Sequence, residues 1–348
     1  MTAHADRPDT TVAIACYDER RWSSILGAVA SARAQTVQPA AIVVSVDHNP
    51  ALAERLREAL TNTPGIPDIP DITVVDNEGA RGASGNRNRA AAEARTSVIA
   101  FLDDDERAEP DWLEHLLEPL ADASVAGTGG GCSPAWELSE PTWFPPEFAW
   151  AVGAHYEGLP RTTSAVRGVW SGNMAVRTHV FRAVGGFRED FGKIGDVPLP
   201  EDTDLCLRVT VAGHGGWRYV PDAVIHHEVP AARSTRTFLV RRCYAEARGK
   251  VLMRELAGDL SQQVDGGALG AETRYLTAVV PRGVLREVRT AVGSLAGRDL
   301  ETARRSADRT VMMVASVGAA AVGAAHGACT LAGRHLPGRR RLRPEDLS

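Results

Sequence analysis

Val98-Ile-Ala-Phe-Leu-Asp-Asp-Asp-Glu106 is an uninterrupted apolar run closed by consecutive acids. Five apolar residues without polar alternation describe a strand buried on both faces, the habit of a parallel sheet covered by helices on either side. Asp103, Asp104 and Asp105 then fall at the strand's carboxyl end, where open α/β sheets place their ligands. In extended backbone Asp103 and Asp105 point to one side and Asp104 to the other, so the outer pair is expected to converge on one object. Oxygen donors of this kind suit Mg2+ or Mn2+ bridging to a diphosphate. The alternative for the same three acids is a solvated turn capping the helix that begins near Pro110.

Upstream, strands and helices alternate. Thr11 to Tyr17 reads as a first strand followed by the polar group Asp18 to Arg21, and Trp22 to Gln35 as a helix. Ala41 to Val46 is a second strand ending in Asp47-His48-Asn49, Leu52 to Leu60 a helix, Pro64 to Asp71 a Pro-rich loop, and Ile72 to Val75 a third strand. Gly79 to Arg89 supplies glycines, small residues and arginines that run into an Ala-rich helix at 90–95. Such a segment offers backbone N–H groups and guanidinium groups to an anion. It is neither a Walker A loop nor a dinucleotide fingerprint, because no Gly-Lys-Ser/Thr follows and its glycines are misplaced. The pattern is α/β and doubly wound.

Downstream, Trp112 to Leu120 is expected to be helical and Val125 to Thr128 a strand. Trp136 to Trp150 is rich in Pro and aromatic residues, which either stack on sugar rings or bases or fill the core beneath a long loop. Gly168 to Val176 joins a small-residue turn to a strand. Pro200 to Ala212 is a helix that opens with Glu201, Asp202 and Asp204, more acids than capping requires. Trp217 to Val220 is a strand, and Pro221 to Glu228 continues to His226-His227, which alternation places on opposite faces, so that one imidazole reaches a metal.

With these features in order, residues 10 to 230 resemble the family 2 glycosyltransferases of GT-A fold: a Rossmann-like mixed sheet flanked by helices, here with a helical C-terminal extension. The resemblance implies a strand-end Asp-x-Asp, mapping to Asp103 and Asp105, that holds Mn2+ or Mg2+ and the nucleotide diphosphate. It implies a nucleobase contact at Asp47 and a Gly/Asn/Arg loop over Gly82 to Asn88, with Asn86 where Ala is usual. The catalytic base it implies is Asp202, with Glu201 beside it. The donor site is assigned to Cys16, Tyr17, Glu19, Asp47, Arg81, Arg87, Asp103 and Asp104, and the acceptor site to Trp170, Gly172 and Asn173. Metal ligands are drawn from Asp105, Asp103, His226 and His227. The chemistry agrees: displacement at an anomeric carbon needs a base for the acceptor proton and positive charge for the leaving diphosphate. The expected activity is metal-dependent, inverting transfer from a nucleotide-sugar, a UDP-sugar by resemblance, to a glycan, polyprenyl-phosphate or small-molecule acceptor.

A net charge of −5 speaks against a general nucleic-acid partner. Five scattered cysteines without a Cys-x-x-Cys pair, and a polar N-terminus without a signal peptide's apolar core, are read as cytoplasmic. Two rivals remain: a nucleotidyltransferase, disfavoured because Ala13 to Arg21 holds no Gly-rich loop with Lys, and a non-catalytic sugar-binding module, disfavoured by intact Asp103, Asp105 and Asp202.

Residues 231 to 335 read as a helical C-terminal region, preceded by the transferase domain at 11–230 and a flexible N-terminus at 1–10, and followed by a basic tail at 336–348. Arg236 to Leu256 is helical and Arg-rich. From Val311 the chain is Ala- and Gly-rich and apolar, interrupted by His326, and on reaching Gly333 it has the ~20 residues a bilayer span needs. One span from a cytosolic domain would export Arg339, Arg340, Arg341 and Arg343, against the positive-inside tendency. An interfacial or protein-packed helix is therefore expected, with peripheral contact to the inner face of the cell membrane.

Overall fold

The computed structural model describes residues 8–61, 71–194, 197–257 and 270–334. The N-terminal residues 1–7, nearly all of the expected Pro-rich loop and the basic tail lie outside them. In chain order the elements are β1 (Thr10–Cys16), α1 (Trp22–Arg33), β2 (Ala41–Asp47), α2 (Pro50–Thr61), β3 (Asp71–Asn77), α3 (Ala83–Glu93) and β4 (Val98–Asp103). They continue with β5 (Glu106–Ala108), α4 (Trp112–Leu117), β6 (Val125–Trp136), β7 (Ser164–Val166), β8 (Asn173–Arg177), α5 (Thr178–Ala183), β9 (Gly192–Ile194) and β10 (Val197–Leu199). Last come α6 (Glu201–Val211), β11 (Gly216–Val229), α7 (Arg236–Ala257), α8 (Gly270–Arg274), α9 (Val280–Ala296) and α10 (Leu300–Arg334).

The chain divides into two units. The first comprises residues 1–133, 160–194 and 200–227, and the second 134–159, 195–199 and 228–348. The aromatic segment at 134–159 groups with the C-terminal helices.

Among the described residues the first unit carries a nine-stranded mixed sheet, in the order β3-β2-β1-β4-β8-β6-β11-β5 with β7 beside β11. β1, β2, β3 and β4 run parallel, while β8 is antiparallel to both β4 and β6. The pleat sorts β4 between two cores: Val98, Ala100 and Leu102 pack with Ile14, Ile25 and Trp112 on one face, and Ile99 and Phe101 pack with Phe181 and Phe187 on the other. That two-sided burial is why the strand reads as apolar throughout.

Three expectations need correction. α3 begins at Ala83, not near residue 90, so the Gly/Asn/Arg segment is itself the first turns of a helix. β6 runs twelve residues, far beyond Thr128. A single strand, β11, replaces the two pieces expected on either side of Pro221. In the second unit, Phe144, Phe148, Leu239, Cys243, Val280, Met312 and Met313 form a separate core.

Candidate active site

The acids of the quoted stretch divide differently from the extended geometry expected of them. β4 ends at Asp103, and Asp104 and Asp105 occupy the turn into β5, so strict alternation stops where the acids begin. Asp103 accepts from Arg87 Nη2 at 2.5 Å and Nε at 3.2 Å. Asp104 and Asp105 instead share Arg21, whose Nη1 lies 2.6 Å from Asp104 Oδ1 and 3.2 Å from Asp105 Oδ2. Two arginines thus divide three carboxylates.

Arg87 projects from α3 and is 7% exposed. Its Nη1 also reaches Glu201 Oε1 at 3.1 Å, joining the end of β4 to the start of α6. Burial opposes its charge, but the carboxylates of Asp103 and Glu201 outweigh burial and hold the guanidinium above its ordinary range. Glu201 is pushed up, first by burial and then by Asp202, with Arg87 acting in the opposite sense. Ser171 Oγ lies 3.4 Å from the same Glu201 oxygen. Asp202, next along α6, accepts from the backbone N–H of Thr203 at 2.5 Å.

Glu106 belongs to this cluster although the sequence did not single it out. It is buried, accepts the Asp103 N–H at 2.9 Å, and is held well above the carboxylate range by burial and by Asp103 and Asp105. A Cβ on Gly172 would lie 2.7 Å from Glu106 Oε1 and 2.8 Å from Asp103 Oδ2, so only glycine lets the turn before β8 close over these carboxylates. Asp104 is pushed up to about 7, chiefly by burial and then by Asp105 and Asp103, against the pull of Arg21. Its Oδ2 is buried with no hydrogen-bond partner among the described residues.

The β11/β5 register separates the two histidines. His227 pairs across from Glu106 and His226 from Arg107. His227 Nε2 comes 3.6 Å from Asp105 Oδ2, while His226 turns to Glu109, so of the two expected imidazole ligands His226 is directed away from the acids. Among the described residues no three His, Cys, Asp or Glu side chains converge to enclose an ion. Asp105, His227 and the unpartnered oxygen of Asp104 are donors whose chemistry would suit a hard divalent cation.

Asp47 ties down the loop before α3: it accepts from Asn77 Nδ2 at 2.7 Å and from the Gly82 N–H at 2.9 Å. Gly82, at φ 105°, occupies the left-handed region and lets the chain turn into the helix. Val46, His48, Asn49, Asp76, Asn77 and Arg81 line an open depression beside this loop. Cys16 is buried and contributes its carbonyl, whereas Tyr17 is 55% exposed, with Arg21 stacked 5.8 Å from its ring centroid. Glu19 starts a short 3-10 turn at the same strand end.

Asn86, the departure noted in the Gly/Asn/Arg loop, is a buried bridge. Its amide donates to the carbonyls of Cys16 and Ser45 at 3.0 and 3.1 Å and accepts from Ser45 Oγ at 2.6 Å. Asn173 is likewise engaged within the fold, accepting from Trp112 Nε1 at 2.7 Å and donating to Gly131 and Ala223 carbonyls. Trp170 packs half-buried against the core beside it. Arg21, Glu106 and Ser171 carry no motif in a single sequence, and topology alone assembles them.

A mixed sheet of this order, with acids and arginines gathered at the carboxyl ends of its parallel strands, is the GT-A fold. The model of glycosyl transferase family 2 matches residues 11–185, and the chain belongs to that family. The glucosyl-dolichyl phosphate glucuronosyltransferase of Haloferax volcanii is 29% identical over 245 residues, 70% of this chain and 76% of that protein. The pre-mycofactocin glycosyltransferase of Mycobacterium tuberculosis is 27% identical over 71% of this chain, which spans half of that relative's length. Among solved structures, the mannosyltransferase of Pyrobaculum calidifontis with GDP-Man and Mn2+ is similar at a TM-score of 0.56 and 18% identity, over 92% of this chain and 87% of that one. GalNAc-T7 with UDP, GalNAc and Mn2+ is similar at 0.50 and 16%, over 78% and 55%.

Proposed function

We propose that this glycosyltransferase moves a sugar from a nucleotide diphosphate sugar, UDP-linked by preference, to a hydroxyl or lipid-phosphate acceptor, with inversion and dependence on Mn2+ or Mg2+. The observation that carries the reading is the bridge Asp103–Arg87–Glu201, which joins the strand-end acids to the helix start bearing Asp202. The dolichyl phosphate in the name of the Haloferax volcanii relative supports a lipid-linked acceptor.

In this reading Asp105 and His227 hold the cation, with Asp103 and Asp104 alongside. A cation bound there would supply positive charge for the leaving diphosphate. Arg21 and Arg87 keep the carboxylates in place and offer guanidinium charge to phosphate oxygens. Asp47 orders the loop beside the base depression, together with Arg81, and the strand end at Cys16, Tyr17 and Glu19 borders the donor. Asp202 takes the proton of an acceptor hydroxyl as the new glycosidic bond forms and the bond from the anomeric carbon to the diphosphate oxygen breaks. Glu201 positions Asp202 through Arg87, and Trp170 and Gly172 border the acceptor. Contact of the second unit with a membrane surface belongs to the same reading.

The test is transfer of labelled sugar from a nucleotide-sugar panel to glycan and polyprenyl-phosphate acceptors by wild type and Asp202→Asn. A hydroxyl acceptor requires the base, and the variant is expected to lose about 10²–10⁴ in kcat. A phosphate acceptor is already ionised and needs no base, so retained transfer to polyprenyl phosphate would assign that acceptor. Full activity of the variant on hydroxyl acceptors would refute Asp202 as base.

A further inference from the structure

In the second unit, α9 carries Leu285, Val288, Val292 and Leu295 at helical spacing on one face, exposed by 48, 41, 63 and 57%. Four large apolar side chains in one exposed stripe are more than scattered surface residues. Beside the stripe the helix bears exposed Arg282 and Arg289, while its single acid, Glu287, is buried at 5% and is paired, with Glu147, to Arg286 at 3.1 and 3.0 Å. The water-facing surface of α9 is therefore apolar and cationic. α10 continues the theme: Val311, Val314 and Val322, with Gly318 between them, lie along one exposed face.

We propose that the exposed faces of α9 and α10 form a docking surface for an anionic lipid bilayer, with the helices lying in the plane of the interface. This deepens the transferase reading by naming the membrane-contact surface and uses none of the active-site residues. The choice of occupant follows from charge: exposed arginines flanking apolar side chains match anionic headgroups above acyl chains. The choice of an in-plane pose follows from packing. α10 is long and apolar enough to cross a membrane by composition over Leu300–Ala332. Its other face, however, is locked onto α7, where a Cβ on Gly323 would meet the Tyr244 carbonyl at 2.1 Å, and Met312, Met313 and Ser316 are buried. α7 carries Arg242, Glu246 and Lys250 in ion pairs, which a span would drag into hydrocarbon.

The experiment is flotation of the full chain with vesicles of phosphatidylcholine alone and of equal parts phosphatidylcholine and phosphatidylglycerol. It is repeated after an alkaline carbonate wash and with Val292→Glu/Leu295→Glu and Arg282→Gln/Arg289→Gln, each checked for folding by circular dichroism and for nucleotide binding. Binding to the anionic vesicles that is washed off by carbonate is expected. The charge variant should weaken it by about 25-fold, at roughly fivefold per arginine. The apolar variant should weaken it more than tenfold. Nucleotide binding should persist in both, which separates this surface from the donor site. Absence of vesicle binding by folded wild type would overturn the proposal. So would retention through the carbonate wash, which indicates a span, or a wild-type dimer that Val292→Glu/Leu295→Glu dissociates, which indicates a second copy on this face.

Discussion

At the scale of single residues the active site is a question of paired buried charge. Arg87, only 7% exposed, joins Asp103 to Glu201, whose side chains keep 30% and 18% of their exposure. Arg87→Met leaves two carboxylates without their cation and is expected to destabilise the fold by about 3–5 kcal/mol, read from urea unfolding. Unchanged stability would show that the bridge contributes nothing. Asp104 gives a pH signature. Its folded pKa, about 7, lies above its ordinary value, so the folded state binds the extra proton. The contribution is full below the ordinary carboxylate range and is lost as pH rises through about 7. Asp104→Asn stays neutral throughout, so its melting temperature should rise relative to wild type between pH 5 and pH 8 in the absence of metal; parallel curves would contradict this. That Asp103 to Asp105 gather at the end of a buried strand was legible from the apolar run before them. Their division between Arg87 and Arg21 was not, because a turn replaces extended backbone after Asp103 and no sequence pattern announces which guanidinium groups return to it.

At the scale of elements, what could be read tracks what is repeated. β4 was legible because both its faces are buried, and α6 because its acids and apolar stripe share one helix. The start of α3 was not: Gly, Ser and Asn have little helical preference, and the helix is held by tertiary bonds from Asn86 to Cys16 and Ser45. Asn86→Ala removes the amide that satisfies those buried carbonyls and is expected to lower stability by about 1–3 kcal/mol, seen as a lower urea midpoint at unchanged slope. No change in midpoint would mean that water replaces the amide. β6 was cut short in the reading because three successive glycines resemble a loop, whereas a Cβ on Gly130 would lie 2.0 Å from the Ala223 carbonyl of the neighbouring strand. The histidine pair at the end of β11 was legible as facing two ways; that His227 rather than His226 meets Asp105 needed the β5 register.

At the scale of the whole molecule, the alternation of strands and helices was legible from β1 to β4, whereas the short strands β5, β7, β9 and β10 were not; the family model covers 11–185. The sugar and the acceptor were not, since they depend on a few pocket side chains without a pattern of their own. The C-terminal helices were legible as helices, but the grouping of residues 134–159 with them was not, because aromatic residues report burial without naming the partner. The proposed function turns on a metal-assisted nucleotide diphosphate site at Asp103 to Asp105. Titration calorimetry with a panel of nucleoside diphosphates, with and without Mn2+, on wild type and Asp105→Ala tests it most directly. One nucleotide is expected to bind wild type at least tenfold more tightly with Mn2+, and Asp105→Ala to abolish this gain. Equal affinity with and without metal, or a gain that survives in Asp105→Ala, would contradict it.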